Sequence, residues 1–262
     1  MSDTIFNFKS MIIGHRGSKG NVMENTLESI LYAIETGVDG VHLDIRKCLT
    51  GEVVLFHDET VDRLAFKDDF YFTHTINKPI SKLQWFHLYN TELIDSLGKS
   101  YRIPQLQDVL RHPKVFNSDV LINIEIKDCE SHQYLVGLLT ELFEEGLYEP
   151  SRFLLSSDDL NILTYLKEFQ EMENYEKLKI GKIISCNKPL SKDISTSEKT
   201  RLWVHTFRDF QTNWLIFRNS SDFSSEMASN IVNDQKVIIY TNDRGLENIV
   251  DGIITDKPEI FK

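Results

Sequence analysis

The chain is poor in cysteine. It has three, Cys48, Cys129 and Cys186, odd in number, far apart and without a CxxC spacing. That argues against a disulfide scaffold and against a structural zinc site, and it suits a reducing compartment. No stretch approaches 18 apolar residues, so no membrane-spanning helix is expected. Residues 1–10 lack the apolar segment of a secretory signal, and strand-like sequence starts at Met11. The expectation is a cytoplasmic protein. Basic charge is also scarce, with 29 Lys and Arg against 40 Asp and Glu and a net charge of −11. This speaks against nucleic acid and against broad binding to anionic membrane, and leaves room for a local basic pocket. No Gly/Ser linker, composition break or short-period repeat interrupts the 262 residues. A single domain over 1–262 is expected.

What is present is alternation. Strand-like runs fall at 11–14, 40–45, 53–57, 120–127, 153–157, 179–184, 201–206, 236–241 and 252–255. Helical periodicity is clearest at 26–36, 131–145, 159–172 and 224–234. Most of the strand runs are rich in Ile, Val, Leu and Phe, as strands buried on both faces are. Alternating units at this length predict a (β/α)8 TIM barrel. There are nine strand candidates for eight places. The run 53–57 follows 40–46 across Thr50-Gly51, a link too short for a helical crossover. It is expected to be a hairpin partner folded over the barrel mouth. A doubly wound sheet would need a phosphate loop or GxGxxG turn, and neither occurs. Asn25 is expected to cap the first helix with Glu28 three residues on, and Gly37 to stop it. The stretch 58–103 breaks the alternation and carries Phe66, Phe70, Tyr71, Phe72, Trp85, Phe86 and Tyr89. It reads as an insertion that either shapes substrate access or packs as a satellite core.

The chemistry-bearing residues cluster at strand ends. His15 follows one apolar run and His57 another. In Val41-His42-Leu43-Asp44-Ile45-Arg46 the polar residues share one face, and in 121–127 Asn123, Glu125 and Lys127 do the same. On an exposed strand this is ordinary amphipathicity. In a parallel barrel the aliphatic face packs on the helices, so the polar face points inward, where a carboxylate must be paired or bind a metal. Arg16, beside glycines at a strand end, suits an anion, because guanidinium meets two phosphate oxygens at once. Glu24 has a simpler reading as a charge favouring a helix start, and its part in binding is secondary. His205 also ends a strand-like run and is a weaker candidate; His74, His87, His112 and His132 read as ordinary loop or helix residues. Two histidines, carboxylates and an arginine supply an acid, a base, a cation site and a phosphate clamp, the parts of in-line phosphoryl chemistry.

The order of these segments resembles the glycerophosphodiester phosphodiesterase family: Gly-His15-Arg16-Gly, Glu24-Asn25-Thr26, Val-His42-Leu-Asp44, Leu-Phe-His57-Asp58, Ile103-Pro104-Gln-Leu106, Ile124-Glu125-Ile126-Lys127, Leu155-Ser156-Ser157, Tyr240-Thr241-Asn242 and Thr255-Asp256-Lys-Pro258. The resemblance implies a (β/α)8 barrel that hydrolyses glycerophosphodiesters to an alcohol and glycerol 3-phosphate with a divalent cation, calcium or magnesium. It makes His15 and His57 the acid–base pair. Arg16 and Lys127 would hold the phosphate, and Asp44 and Glu125 the metal. One position departs: His42 stands where the family pattern has a metal-binding glutamate. Calcium and magnesium prefer oxygen, so the imidazole shifts the expected preference towards manganese, zinc or cobalt, or else weakens metal binding and activity. The alternatives are an inactive barrel that binds a phosphodiester headgroup, and phospholipase D-like action on lysolipids.

Overall fold

The computed structural model describes residues 9–68, 70–184, 212–218, 235–240 and 250–261. Its strands are β1 (Met11–Gly14), β2 (Gly40–Lys47), β3 (Val53–Leu55), β4 (Glu92–Ile94), β5 (Ser100–Arg102), β6 (Leu121–Ile126), β7 (Phe153–Ser157), β8 (Lys179–Ile184), β9 (Trp214–Phe217), β10 (Lys236–Tyr240) and β11 (Gly252–Thr255). Eight run parallel in the order β1-β11-β10-β9-β8-β7-β6-β2, and pairing of β1 with β2 closes the barrel. The run after β2 is a hairpin partner, as expected: β3 pairs antiparallel with the last residues of β2.

One barrel place differs from the sequence reading. The strand that bridges β8 and β10 is the Trp-Leu-Ile-Phe run of β9, which that reading passed over in favour of 201–206. Residues 201–206 and the helical stretch 224–234 lie outside the described residues. The runs 201–206 and 214–217 are both short and carry β-prone residues, and nothing local distinguishes a barrel strand from its neighbour.

Period-2 alternation sorts the side chains. Val41, Leu43, Ile45, Ile122, Ile124 and Leu155 face outward and pack in one core with helices α1 (Leu27–Glu35), α4 (Leu106–Leu110), α6 (Ser131–Glu144) and α7 (Leu160–Gln170). In α6 the buried Leu135, Leu138, Leu139 and Leu142 recur at i, i+3, i+4 and i+7, the spacing of one helical face. Truncating Leu139 to Ala there costs about 2–5 kcal/mol. The opposite strand faces fill the barrel with Ile13, Leu154, Ile183, Trp214, Ile216, Ile238 and Ile254. This apolar floor lies towards the strands' N-terminal ends, and the polar inward residues stand above it.

The first helix starts one residue later than expected. Thr26, not Asn25, is its cap, accepting from the Ser29 amide at 3.2 Å. Asn25 has a left-handed φ of 55° and turns its side chain elsewhere. Gly37 does end the helix, with φ 75° and its amide on the Ile34 carbonyl.

The excursion 58–103 holds the short helices α2 (Phe72–Thr75) and α3 (Trp85–Asn90) and the hairpin β4–β5. Val61, Ile80, Leu83, Leu88, Leu93 and Tyr101 form a second core with Val54 and Phe56 of the β3 segment. The satellite-core reading therefore describes its interior.

Candidate active site

The turn after β1 folds back onto α1 and β2. A side chain at Gly14 would bring its Cβ within 2.2 Å of the Gly17 carbonyl oxygen, and one at Gly17, where φ is +84°, within 2.5 Å of Ser29 Oγ. Only glycine fits such an approach. The Arg16 carbonyl accepts from the Asn25 amide and from Ser29 Oγ, and the Gly17 amide donates to the His42 carbonyl. These bonds deliver His15 and Arg16 to the C-terminal mouth of the barrel.

Asp44 is fully buried on β2. Its Oδ2 accepts from Asn25 Nδ2 at 2.9 Å and lies 3.1 Å from Arg16 Nε; its Oδ1 lies 3.0 Å from Lys127 Nζ. Burial alone would push this carboxyl up, but His42, Lys127 and Arg16 outweigh it and hold it well below the usual carboxylate range. Glu125, on the neighbouring β6, pairs with Lys127 Nζ and with Arg218 Nη2 at 2.8 Å. Its Oε2 lies 3.2 Å from His42 Nε2 and accepts from the Tyr240 hydroxyl at 3.1 Å. Burial again raises its pKa, and the bond to His42 with the Lys127 charge brings it below normal.

Each proposed acid–base histidine has a carboxylate on Nδ1. His15 Nδ1 lies 2.5 Å from Asp256 Oδ1, and His57 Nδ1 lies 2.7 Å from Asp58 Oδ1. Burial lowers the His15 pKa to about 4, against the pull of Asp256. Burial also lowers that of His57, which is more open to solvent. The rings of His15, His42 and Tyr240 form a triangle with centroids 5.1–5.4 Å apart.

A chain of ion pairs joins the two histidine sides. Asp58 accepts from Arg63 Nε at 2.5 Å, Arg63 Nη2 reaches Glu24 at 2.6 Å, and Glu24 in turn pairs with Arg16 Nη1 at 2.6 Å. Glu24 is buried, and its burial is outweighed by the two guanidiniums, which keep its pKa low. Its carboxylate is therefore committed to two arginines; the helix-start reading does not describe it. Arg46, on the same strand face as Asp44, donates from Nε to the His57 carbonyl at 2.9 Å.

His15, Arg16, Glu24, His42, Asp44, His57, Glu125 and Lys127 thus come together around one end of the barrel. Asn25, read from the sequence as a helix cap, joins them, as do Arg63, Arg218, Tyr240 and Asp256, which were not singled out. Tyr240 and Asp256 had a signal, since both stand in the quoted motifs at strand ends. Arg63 had none, lying in the excursion that follows His57; Arg218 directly follows β9, the strand that the sequence reading passed over. The remaining histidines are accounted for locally: His112 caps α5 (Pro113–Phe116), His132 packs on Tyr165, and His74 and His87 stack in the insertion. His205 lies outside the described residues.

His42, Asp44 and Glu125 offer ligand atoms that all lie within 4.8 Å of one another, and all three side chains are buried. His42 Nδ1 has no hydrogen-bond partner among the described residues. Two anionic oxygen donors and one imidazole fit a divalent cation of intermediate softness.

The sequence profile of the Glycerophosphoryl diester phosphodiesterase family matches residues 15–260, and the chain belongs to that family. It is 29% identical over 259 residues to a glycerophosphodiester phosphodiesterase of Caldanaerobacter subterraneus subsp. tengcongensis, covering 96% of each chain. Among solved structures, the glycerophosphodiester phosphodiesterase of Thermotoga maritima superposes with a TM-score of 0.65 at 24% identity, over 96% of both chains. A phosphodiesterase of Oleispira antarctica, solved with the product sn-glycerol-3-phosphate, gives 0.71 at 21% identity over 97% of this chain and 95% of that one. These two share the barrel fold.

Proposed function

From membership of that family, we propose that this phosphodiesterase hydrolyses small glycerophosphodiesters to an alcohol and glycerol 3-phosphate, with His15 and His57 as acid and base and a divalent cation held by His42, Asp44 and Glu125. The observation that carries this reading is the placement of two carboxylate-oriented imidazoles at the rim of one buried His/Asp/Glu group. The His15 ring centroid is 5.3 Å from that of His42, and His57 feels the charge of Asp44. The product bound by the Oleispira antarctica structure supports a glycerol phosphate moiety in the substrate.

Arg16 and Lys127 are the cations that would meet the phosphate, and both already lie against Asp44 at about 3 Å. A bound divalent cation supplies Lewis-acid polarisation of a phosphoryl oxygen. Asp256 and Asp58 hold the Nδ1 side of each ring, so that Nε2 is left to exchange protons. One histidine takes the proton of the attacking hydroxyl, from water or from the neighbouring glycerol, and the other protonates the leaving alkoxide. Both rings are held towards the neutral form by burial, which suits a base; the acid must be recharged by the phosphate it meets. The same reading takes 1–262 as one barrel domain acting in the cytoplasm, on the cysteine usage; among the described residues no helix is long and apolar enough to cross a membrane.

The test is turnover of glycerophosphocholine and glycerophosphoethanolamine across calcium, magnesium, manganese and zinc. His15→Ala and His57→Ala should each lower it by about 10²-fold or more. Near wild-type rates in either variant refute the assignment. A second reading, a barrel that binds a headgroup without turning it over, is favoured by one observation: Lys127 and Arg218 already neutralise Glu125. Binding of glycerol 3-phosphate with no turnover under any metal would select it.

A further inference from the structure

One cation at the barrel mouth has no part in the chemistry above. In β9, Trp214 and Ile216 fill the barrel interior, so strand alternation makes position 218 the next inward place. The Arg218 amide continues the ladder to β8, donating to the Ile184 carbonyl at 3.1 Å. In the closed order of eight strands, β9 stands four places from β2 in either direction. Arg218 therefore rises from the wall opposite the strand of His42 and Asp44.

Its guanidinium reaches over the mouth. Nη2 lies 2.8 Å from Glu125 Oε1 and 3.2 Å from Asp158 Oδ2. Lys127 Nζ pairs with that same Glu125 oxygen. Lys127 and Arg218 thus converge from two strands on one point, and a phosphate oxygen placed beside it meets both. Arg16 and Lys127 also lie against Asp44, on the side of β1, β2 and β6. Phosphoryl transfer spreads charge over the equatorial oxygens, and cations on one side leave part of it unmatched. Arg218 supplies the other side. Both of its bonds use Nη2; among the described residues, Nε and Nη1 of this planar fork have no partner. Asp158 is 57% exposed, and an ion pair so open to water holds weakly, so a phosphate displaces it easily.

We propose that Arg218 is a third phosphate-binding residue, which meets the phosphoryl group from the wall opposite β2 and exchanges Asp158 for a phosphate oxygen. The location of the phosphate rests on the proposed function; the choice of Arg218 rests on its own geometry. The contact is to phosphate, not to glycerol or to the leaving alcohol, so it serves every diester alike. Neutralising Glu125 is the simpler role for this side chain, and it has a different signature: the loss of Arg218 would then act through the metal group.

The experiment is calorimetric titration of the full chain, in manganese, with sn-glycerol-3-phosphate and with inorganic phosphate. Arg218→Gln should weaken both by about tenfold or more, the loss of a bond to a charged group, and leave manganese affinity unchanged. Arg218→Lys should recover part of the loss, since a point charge replaces the fork. Asp158→Asn should tighten both ligands, and most of that gain should disappear in the Arg218→Gln background. Unchanged phosphate affinity in Arg218→Gln would overturn the proposal. So would a loss that only follows a loss of manganese affinity, or an Asp158→Asn gain kept in full without Arg218. Turnover of glycerophosphocholine by the wild type separates the two failures. If the wild type turns over and Arg218→Gln still binds phosphate normally, the assignment of Arg218 falls alone; if the wild type neither turns over nor binds, the catalytic reading falls with it.

Discussion

Asn25 holds Asp44 from two directions: its Nδ2 donates to Asp44 Oδ2 at 2.9 Å, and its Oδ1 accepts from the Asp44 backbone amide at 3.1 Å. The left-handed backbone at Asn25 is what turns the amide towards β2. Asn25→Ala should lower thermal stability by about 1–3 kcal/mol, because a buried carboxylate loses a donor. Asn25→Gly, which relaxes the backbone, should recover part of the stability but none of the turnover. Thermal melts with a glycerophosphocholine assay check both halves.

On the proposed reading, His42 is the side chain that decides the metal preference. Isothermal titration should give the wild-type protein tighter binding of manganese or zinc than of calcium, and His42→Glu should reverse the order. Equal calcium affinity in both proteins would remove the argument from imidazole softness.

Tyr240 bridges His42 Nε2, at 2.8 Å, and Glu125 Oε2. Tyr240→Phe keeps the ring triangle and deletes the hydroxyl. The expected result is a loss of about 10- to 100-fold in metal affinity with little change in the melting temperature. Titration and melting curves read the two effects separately.

Stability should depend on pH through His15. Its pKa falls from 6.5 when unfolded to about 4 when folded, so the unfolded chain binds the extra proton between those values. The contribution is complete above pH 6.5 and is lost as pH falls towards 4, about 3 kcal/mol in all. His57 adds to it with the same sign. The depressed carboxylates Asp44 and Glu24 lose theirs only at lower pH, below their ordinary range. Urea midpoints at pH 7.5, 6.5, 5.5 and 4.5 should fall in the wild type and fall less in His15→Asn.

Much of this was legible in the sequence, for a physical reason. Inverted polarity on 41–46 and 121–127 follows from the barrel, whose polar interior at one end must be carried by alternate residues of parallel strands. The short link at Thr50-Gly51 permits only a hairpin. Other features were hidden because sequence spacing does not encode them. Arg218 meets Glu125 across 93 residues of chain, and Arg63 meets Glu24 across 39. Asn25 carried a genuine cap signature, yet Thr26 beside it carries one as well, and tertiary contact with Asp44 decided between them. Strand β9 was missed because four apolar residues give no period to read.

The pairing of Arg63 with both Glu24 and Asp58 has a consequence for anyone who would exchange the loop region of this enzyme for another. The excursion is not a detachable module. A graft without a guanidinium at position 63 would strand a buried negative charge beside Arg16 and release the anchor of the His57 imidazole, so transplanted specificity must carry that one side chain with it.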